Sequence, residues 1–159
     1  RMSEVAAIGS DGAARMGLIE EDQDDFARPR SDAYTQRDDL PRGVEVFQLR
    51  GPLFFGVASR LSDVVDAISG SPKVFILRMR LVPVVDASGM HALEMLLERC
   101  QRRGIALIIS GLQPQPRRVF GKMHLHPREG ALHIVHDFDT ALVLAQELIA
   151  GTDVKDQTS

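Results

Sequence analysis

The residues with the clearest chemical potential form a short turn, Asp86-Ala87-Ser88-Gly89. An apolar run at residues 74–77 precedes this turn, and an amphipathic stretch with helical spacing follows it as far as Cys100. This order is typical of a strand that passes into a helix, and it leaves the first N–H groups of that helix without intrahelical partners. The sequence predicts that Ser88 caps the helix, because a serine hydroxyl accepts hydrogen bonds from such N–H groups and Gly89 permits a sharp bend.

A hydroxyl at the positive end of a helix is also a place where a phosphate group can be added and held. The neighbouring carboxylate of Asp86 would repel that added charge. Ser88 is therefore a candidate phosphoacceptor in a regulatory turn formed by Asp86, Ser88 and Gly89. Met90 and His91, on the first turn of the helix, are candidate partner contacts, because an open helix end offers directional donors to a partner or an anion.

The same turn suggests a hydrolase with Ser88 as nucleophile, but the spacing argues against that hypothesis. His91 lies three residues along the same helix and would point away from a capping serine, and no oxyanion site is implied. No nucleophile elbow, phosphate-binding loop or paired-carboxylate motif occurs elsewhere in the chain. We therefore expect a protein that is not an enzyme and that binds no cofactor.

Four of the five histidines fall within thirteen positions, which raises the hypothesis of a metal site. His133 and His136 are an odd number of residues apart in a predicted strand, so their side chains would point to opposite faces. No cysteine lies near them to complete a zinc site. The sequence predicts no metal site. Two interpretations of the four clustered histidines, His124, His126, His133 and His136, remain: they are solvated surface residues, or they form a pH-responsive loop.

The elements that position the turn alternate between strand and helix patterns. Strands are predicted at residues 44–49, 73–79, 105–109 and 132–136, and helices at about 57–68, 90–100, 114–123 and, after a cap at Asp137 or Asp139, to 149. Pro83 cannot donate to a strand ladder, so the sheet is expected to end or bulge there. The alternation predicts an α/β domain with a small parallel or mixed central sheet and about four helices.

A second informative stretch, Gly51-Pro52-Leu53-Phe54-Phe55-Gly56, lies between the first strand and the first helix. Two interpretations of Phe54 and Phe55 are open. The sequence favours the first, in which one or both fill the core where helix meets sheet. In the second, Phe54 and Phe55 are exposed aromatic contacts for a partner.

Length and composition allow one domain with additional unstructured chain. The 159 residues are 44% apolar and 26% charged, with a net charge of −3 that divides into −4 for residues 1–43 and +1 for residues 44–159. Neither part is basic enough for a nucleic-acid partner. We predict an acidic flexible linker within residues 1–43, because the acidic run at 20–25 repels itself, followed by a domain at 44–150 and a disordered tail at 151–159. Residues 1–10 could form a short helix, but their apolar residues are too few to stabilise one alone.

The single cysteine, Cys100, is predicted to be a buried free thiol on the apolar face of its helix, which suits the cytoplasm. No apolar run approaches the roughly 20 residues that cross a bilayer, and no charged-then-apolar leader is present. The chain begins with Arg1-Met2, which we interpret as a segment cut from a longer protein, with a cloning remnant as the alternative.

The turn Asp86-Ala87-Ser88-Gly89 before a helix, together with the stretch at 51–56, resembles a STAS domain over about residues 44–149. This family comprises bacterial anti-sigma factor antagonists and the cytoplasmic C-terminal domains of SulP-type anion permeases. The short stretch at residues 1–5 is similar to the segment that follows the last membrane helix in such permeases, which implies a juxtamembrane segment at the start of residues 1–43, with Arg1 just inside the cytoplasmic face. STAS domains are also associated with nucleotide binding, although this chain has no phosphate loop.

The resemblance implies a cytoplasmic regulatory domain of a SulP-type secondary anion transporter of the sulfate, bicarbonate or dicarboxylate class. Such a domain lies at the cytoplasmic face of the inner membrane, docks to the transmembrane domain of its own polypeptide, helps the carrier to form a homodimer, and passes on an input, for example from a cytoplasmic regulatory protein. The alternative is a stand-alone anti-sigma factor antagonist whose Ser88 is phosphorylated by a partner kinase. Those antagonists usually carry an acidic residue where this chain has Phe54-Phe55, which favours the permease branch.

Overall fold

The computed structural model describes residues 4–8, 40–54, 60–68, 70 and 72–158, with side chains described between 40 and 151, and contains one five-stranded sheet in the order β1-β2-β3-β4-β5. The strands are β1 (Glu4–Ile8), β2 (Val44–Arg50), β3 (Val74–Leu81), β4 (Ala106–Ser110) and β5 (Leu132–Val135). The helices are α1 (Arg60–Ala67), α2 (Ala87–Arg102), α3 (Pro114–Lys122) and α4 (Phe138–Thr158). Strands β2 to β5 are parallel and β1 is antiparallel to β2, which confirms the predicted α/β class with a mixed sheet and four helices.

The two faces of the sheet are covered by different helices. Alternate strand residues such as Phe47, Phe75 and Leu107 pack with the apolar residues of α1, α2 and α3 on one face. Their neighbours Val46 and Ile76 pack with α4 on the other face. Because both faces are covered, the central strands are near-continuous apolar runs rather than alternating ones, as is usual for parallel sheets.

Residues 4–8 form a strand, which the sequence pattern does not predict. The strand pairs antiparallel with β2 in the register Val5↔Leu49 and Ala7↔Phe47. A segment this short is a poor helix in isolation, whereas pairing with β2 satisfies the N–H and C=O groups that β2 would otherwise expose as a sheet edge. Residues 9–39, which include the predicted acidic linker, lie outside the described residues, and the domain boundary at 44 stays a prediction.

The end of the chain also differs from expectation. Helix α4 continues to Thr158, although the sequence predicts a disordered tail from residue 151. Gly151 weakens a helix by only about 1 kcal/mol relative to alanine, so it does not by itself end one that is already propagating. Asp137, one of the two predicted caps, begins α4 by accepting the Thr140 N–H at Oδ1 over 2.8 Å.

Strand β3 ends before Pro83, as the missing N–H of proline predicts. Beyond it, Val85 forms a parallel bridge with Leu53 and so continues the pairing of β2 and β3 for one residue. This bridge brings the stretch at 51–54 against the start of α2. Within the described part of the chain, we find no helix with the length and apolarity needed to cross a membrane.

Candidate functional site

The start of α2 is capped by Asp86 and not by Ser88. Asp86 has an extended backbone (φ −94°, ψ 179°), and its Oδ1 accepts the Gly89 N–H over 2.7 Å. Ser88 lies inside the first turn, and its hydroxyl donates to the same Oδ1 over 2.8 Å. The predicted serine cap is wrong because the capping residue is the non-helical one whose side chain reaches the third N–H of the helix, and a carboxylate there also interacts favourably with the helix dipole.

Gly89 allows α2 to approach the 51–54 segment more closely than any side chain would permit. A Cβ atom at Gly89 would lie 2.4 Å from the carbonyl oxygen of Leu53 and 3.2 Å from Cγ1 of Val85. Backbone hydrogen bonds hold this segment in place, from Leu53 N–H to the Val84 carbonyl over 2.8 Å and from Asp86 N–H to the Leu53 carbonyl over 3.4 Å. The two stretches that the sequence singles out therefore meet at Gly89.

Two glutamines at the start of α3 form hydrogen bonds with the backbone that leads into this turn. The Gln115 amide accepts from the Val85 N–H over 2.9 Å and donates to the Val85 carbonyl over 3.0 Å. Gln113 Nε2 donates to the Arg80 carbonyl over 2.8 Å. Sequence reasoning missed both residues, because a side-chain amide that bonds to the backbone groups of a strand end produces no periodic pattern in the sequence. The one available signal is that a glutamine stands before each proline at the start of α3.

The surface around the turn carries exposed apolar side chains. Phe54 is 36% exposed and Val84 is 38% exposed, on backbone segments that the Leu53–Val84 hydrogen bond joins. Phe54 itself does not fill the core, because its neighbour Leu53 takes the buried position at the end of the sheet, and the prediction that one or both phenylalanines are buried stays open for Phe55. Phe55 lies outside the described residues.

The two candidate contacts on α2 differ sharply in accessibility. Met90 is fully buried, which excludes it as a partner contact in this fold. It begins the apolar stripe that continues through Leu93 and Leu97 and faces the sheet, so its helical position decides its burial. His91, one position further along, is exposed beside the turn.

The histidine cluster and Cys100 are the remaining candidates that the sequence singles out. Among the described residues, no group of three or more His, Cys, Asp or Glu side chains is arranged to hold a metal ion. His133 Nε2 accepts the Gly130 N–H over 3.2 Å, and His136 lies beyond the end of β5. Cys100 is buried, and that burial raises the pKa of its thiol to about 12, so the reactive thiolate is not formed at neutral pH.

Comparison with known proteins gives a consistent picture. The model of the STAS domain family matches residues 37–141. A Bacillus subtilis protein named as a sulfate transporter, YvdB, is 33% identical over 97 residues, which are 60% of this chain and 18% of that protein. The chain therefore spans less than a fifth of the length of that curated relative.

Solved structures extend the comparison. A sulfate transporter family protein from Wolinella succinogenes is 42% identical with a TM-score of 0.65, over 73% of this chain and 95% of that one. The SulP transporter STAS domain from Vibrio cholerae is 30% identical with a TM-score of 0.60, over 70% of this chain and 88% of that one. An anti-sigma factor antagonist from Mycobacterium paratuberculosis is 19% identical with a TM-score of 0.55, over 67% of this chain and 88% of that one, a likeness of fold alone.

Proposed function

This chain belongs to the STAS domain family, and we propose that it is the cytoplasmic regulatory domain of a SulP-type anion transporter. In this proposal the domain lies under the membrane, docks to the transmembrane domain of the same polypeptide and modulates transport. The observation that carries the proposal is the extent of the match to the Wolinella and Vibrio transporter proteins, which covers nearly all of those chains. The whole domain, rather than the turn alone, supports the transporter branch of the family.

The site supports docking through a preformed surface, which we call the turn surface and define as Phe54, Val84, Asp86, Ser88 and His91. Large exposed apolar side chains on a rigid turn are suited to a partner surface, because little conformational entropy is lost when they bind. The turn surface is rigid because the Gly89 approach, the Gln115 bonds and the Asp86 cap fix its backbone from three sides. The occupant that we propose for it is the transmembrane domain of the same polypeptide.

Ser88 is the proposed regulatory residue of this surface. Its hydroxyl now donates to Asp86, and phosphorylation would replace that donor with a group of about −1.5 to −2 charges. Repulsion between phosphate and carboxylate would draw Asp86 away from the Gly89 N–H, with loss of a cap that contributes about 1 kcal/mol. Modification would thus change both the charge and the shape of the turn surface.

The first test is the open reading frame that surrounds the chain. About ten or more apolar spans of roughly 20 residues before Arg1 are expected for the transporter. A start codon a few residues before Arg1 would contradict the proposal. It would favour the stand-alone antagonist, for which the one specific observation is the place of Ser88 on the first turn of α2.

The second test is transport by the full polypeptide with Val84→Asp in the domain. We expect altered uptake of radiolabelled sulfate, with bicarbonate and dicarboxylates tried in turn, at equal membrane expression. Val143→Asp is the matched control, because Val143 is 56% exposed on α4, which covers the opposite face of the sheet from α2. Equal uptake by both variants and the wild type, or an equal loss in both, would contradict docking through the turn surface.

A further inference from the structure

The carboxyl ends of β4 and β5 open into a crevice. The chain leaves β4 for α3 on one face of the sheet and leaves β5 for α4 on the other face. Adjacent parallel strands whose continuations diverge in this way leave a gap at their carboxyl ends, which is where open α/β sheets bind ligands. A cavity of about 330 Å³ occupies this place, lined by Arg78, Arg80, Ser110, Gly111 and residues 136–139.

Two arginines of β3 project toward this cavity from the α4 face of the sheet. Arg78 and Arg80 are two residues apart and so share a face. The Arg78 guanidinium carbon lies 4.2 Å from the centroid of the Phe138 ring, and its Nε is buried without a hydrogen-bond partner among the described residues. Within the described part of the chain, neither guanidinium pairs with a carboxylate.

Two arginines and two aspartates line the cavity, so its formal charges balance, but the guanidinium groups of Arg78 and Arg80 have no direct carboxylate partner in the described part of the chain. Burial and the neighbouring Arg80 charge lower the pKa of Arg78 to about 10, against a smaller opposite effect of Asp139, and Arg78 remains protonated at neutral pH. The Asp137 carboxylate is engaged with the Thr140 N–H at the start of α4. An incoming anion would gain the attraction of both guanidinium groups.

We propose that this crevice binds a single oxyanion group of the phosphate or sulfate type, held by Arg78 and Arg80 above Ser110 and Gly111. The planar guanidinium matches the oxygen geometry of such groups and can donate two parallel hydrogen bonds. Ser110 is buried at the end of β4 and lines the cavity, where its hydroxyl is a further polar group. Gly111 lets the chain after β4 pass close to Arg80, because a Cβ atom there would lie 3.0 Å from Cβ of Arg80.

The size and the lining of the cavity restrict the ligand. Its volume of about 330 Å³ is near the lower end of small-molecule pockets, which suits a free oxyanion or a small monophosphate ester. Asp137 and Asp139 also line the cavity and would repel further phosphate groups. The crevice is therefore expected to prefer one anionic group over a triphosphate chain.

The test is a titration of the ¹⁵N-labelled 159-residue chain with sodium sulfate and sodium phosphate, followed by amide chemical shifts. We expect saturable shifts at residues 110, 111 and 136–139 that sodium chloride at equal ionic strength does not produce. AMP and ATP then show which kind of ligand the crevice takes. Binding of AMP at least as tight as that of inorganic phosphate indicates a monophosphate ester, and weaker binding of AMP indicates a free oxyanion. Tighter binding of ATP than of AMP would overturn the proposal.

Variants decide whether the arginines carry the binding. Arg80 is exposed, so Arg80→Gln should leave the fold intact while raising the dissociation constant about threefold. Arg78→Gln should raise the dissociation constant about tenfold, since a charged hydrogen bond is lost. Arg118→Gln, an exposed arginine on α3, is the matched control and should change nothing. Shifts that do not saturate, that chloride reproduces, or that survive Arg80→Gln unchanged would overturn the proposal.

Discussion

Replacement of Gly89 by alanine tests how closely α2 packs against the 51–54 segment. In most helices this change stabilises by about 1 kcal/mol, because alanine is the better helix former. At Gly89 the added Cβ would lie 2.4 Å from the Leu53 carbonyl oxygen, whereas ordinary contact begins at 3.4 Å, so the two must separate by 1.0 Å. That movement strains the hydrogen bonds from Leu53 N–H to Val84 and from Asp86 N–H to Leu53.

Overpacking against backbone costs about 1–3 kcal/mol and each weakened hydrogen bond about 1 kcal/mol, so Gly89→Ala should destabilise by about 2–4 kcal/mol after the propensity gain. Urea denaturation followed by circular dichroism measures this, and the midpoint of thermal unfolding should fall by roughly 10 °C. Gly121→Ala is the matched control, since it lies in α3 with no atom within 4 Å of its Cβ position, and it should stabilise. If Gly89→Ala is as stable as Gly121→Ala, the close approach of α2 to the 51–54 segment is refuted.

Three further outcomes are expected. Gln115→Ala should cost about 2 kcal/mol in urea denaturation, because it removes two hydrogen bonds and leaves the Val85 N–H unpaired, while Gln113→Ala, which loses one exposed bond, should cost less than half as much. Cys100 should fail to react with a thiol reagent at neutral pH until the chain is unfolded, because its buried thiol has a pKa raised to about 12; fast reaction of the folded chain would contradict its burial. Hydrogen bonds from Thr140 lower the pKa of the Asp137 carboxyl below its usual 3.8, so its contribution to stability is present above that pH and lost as the pH falls toward the lowered value. Asp137→Ala should therefore be less stable than the wild type at pH 7 by a difference that shrinks in acid, and a constant difference would argue against the cap.

The sequence predicts the sheet and its helices well because the signals are local and repeated. Apolar runs bounded by Gly and Pro mark the parallel strands, and the stripe from Met90 to Cys100 identifies the inner face of α2. Burial of such stripes is the main source of stability, so residues that form them have one environment in any fold that keeps the pattern. The fold class was therefore predictable from residue order alone.

The details of the site were predicted less well because they depend on which backbone groups meet across the fold. The sequence identifies Asp86, Ser88 and Gly89 as a turn, but it favours Ser88 as the cap of the helix, whereas the structure has Asp86 there. The sequence also gives no reason to pair Gln115 with Val85, since the partners lie 30 residues apart. Met90 is buried because its position around the helix axis faces the sheet. One extra residue before the helix would have turned it toward a different side.

Residue order alone predicts an alternating α/β domain with a polar turn at the start of its second helix, because periodicity and turn chemistry are local properties of the chain. The tertiary structure adds that residues 4–8 complete the sheet, that Leu53 approaches Gly89, and that Arg78, Arg80 and Ser110 line one crevice. Those features depend on contacts between distant segments, and such contacts form only when packing and hydrogen bonding together offset the entropy of bringing those segments together.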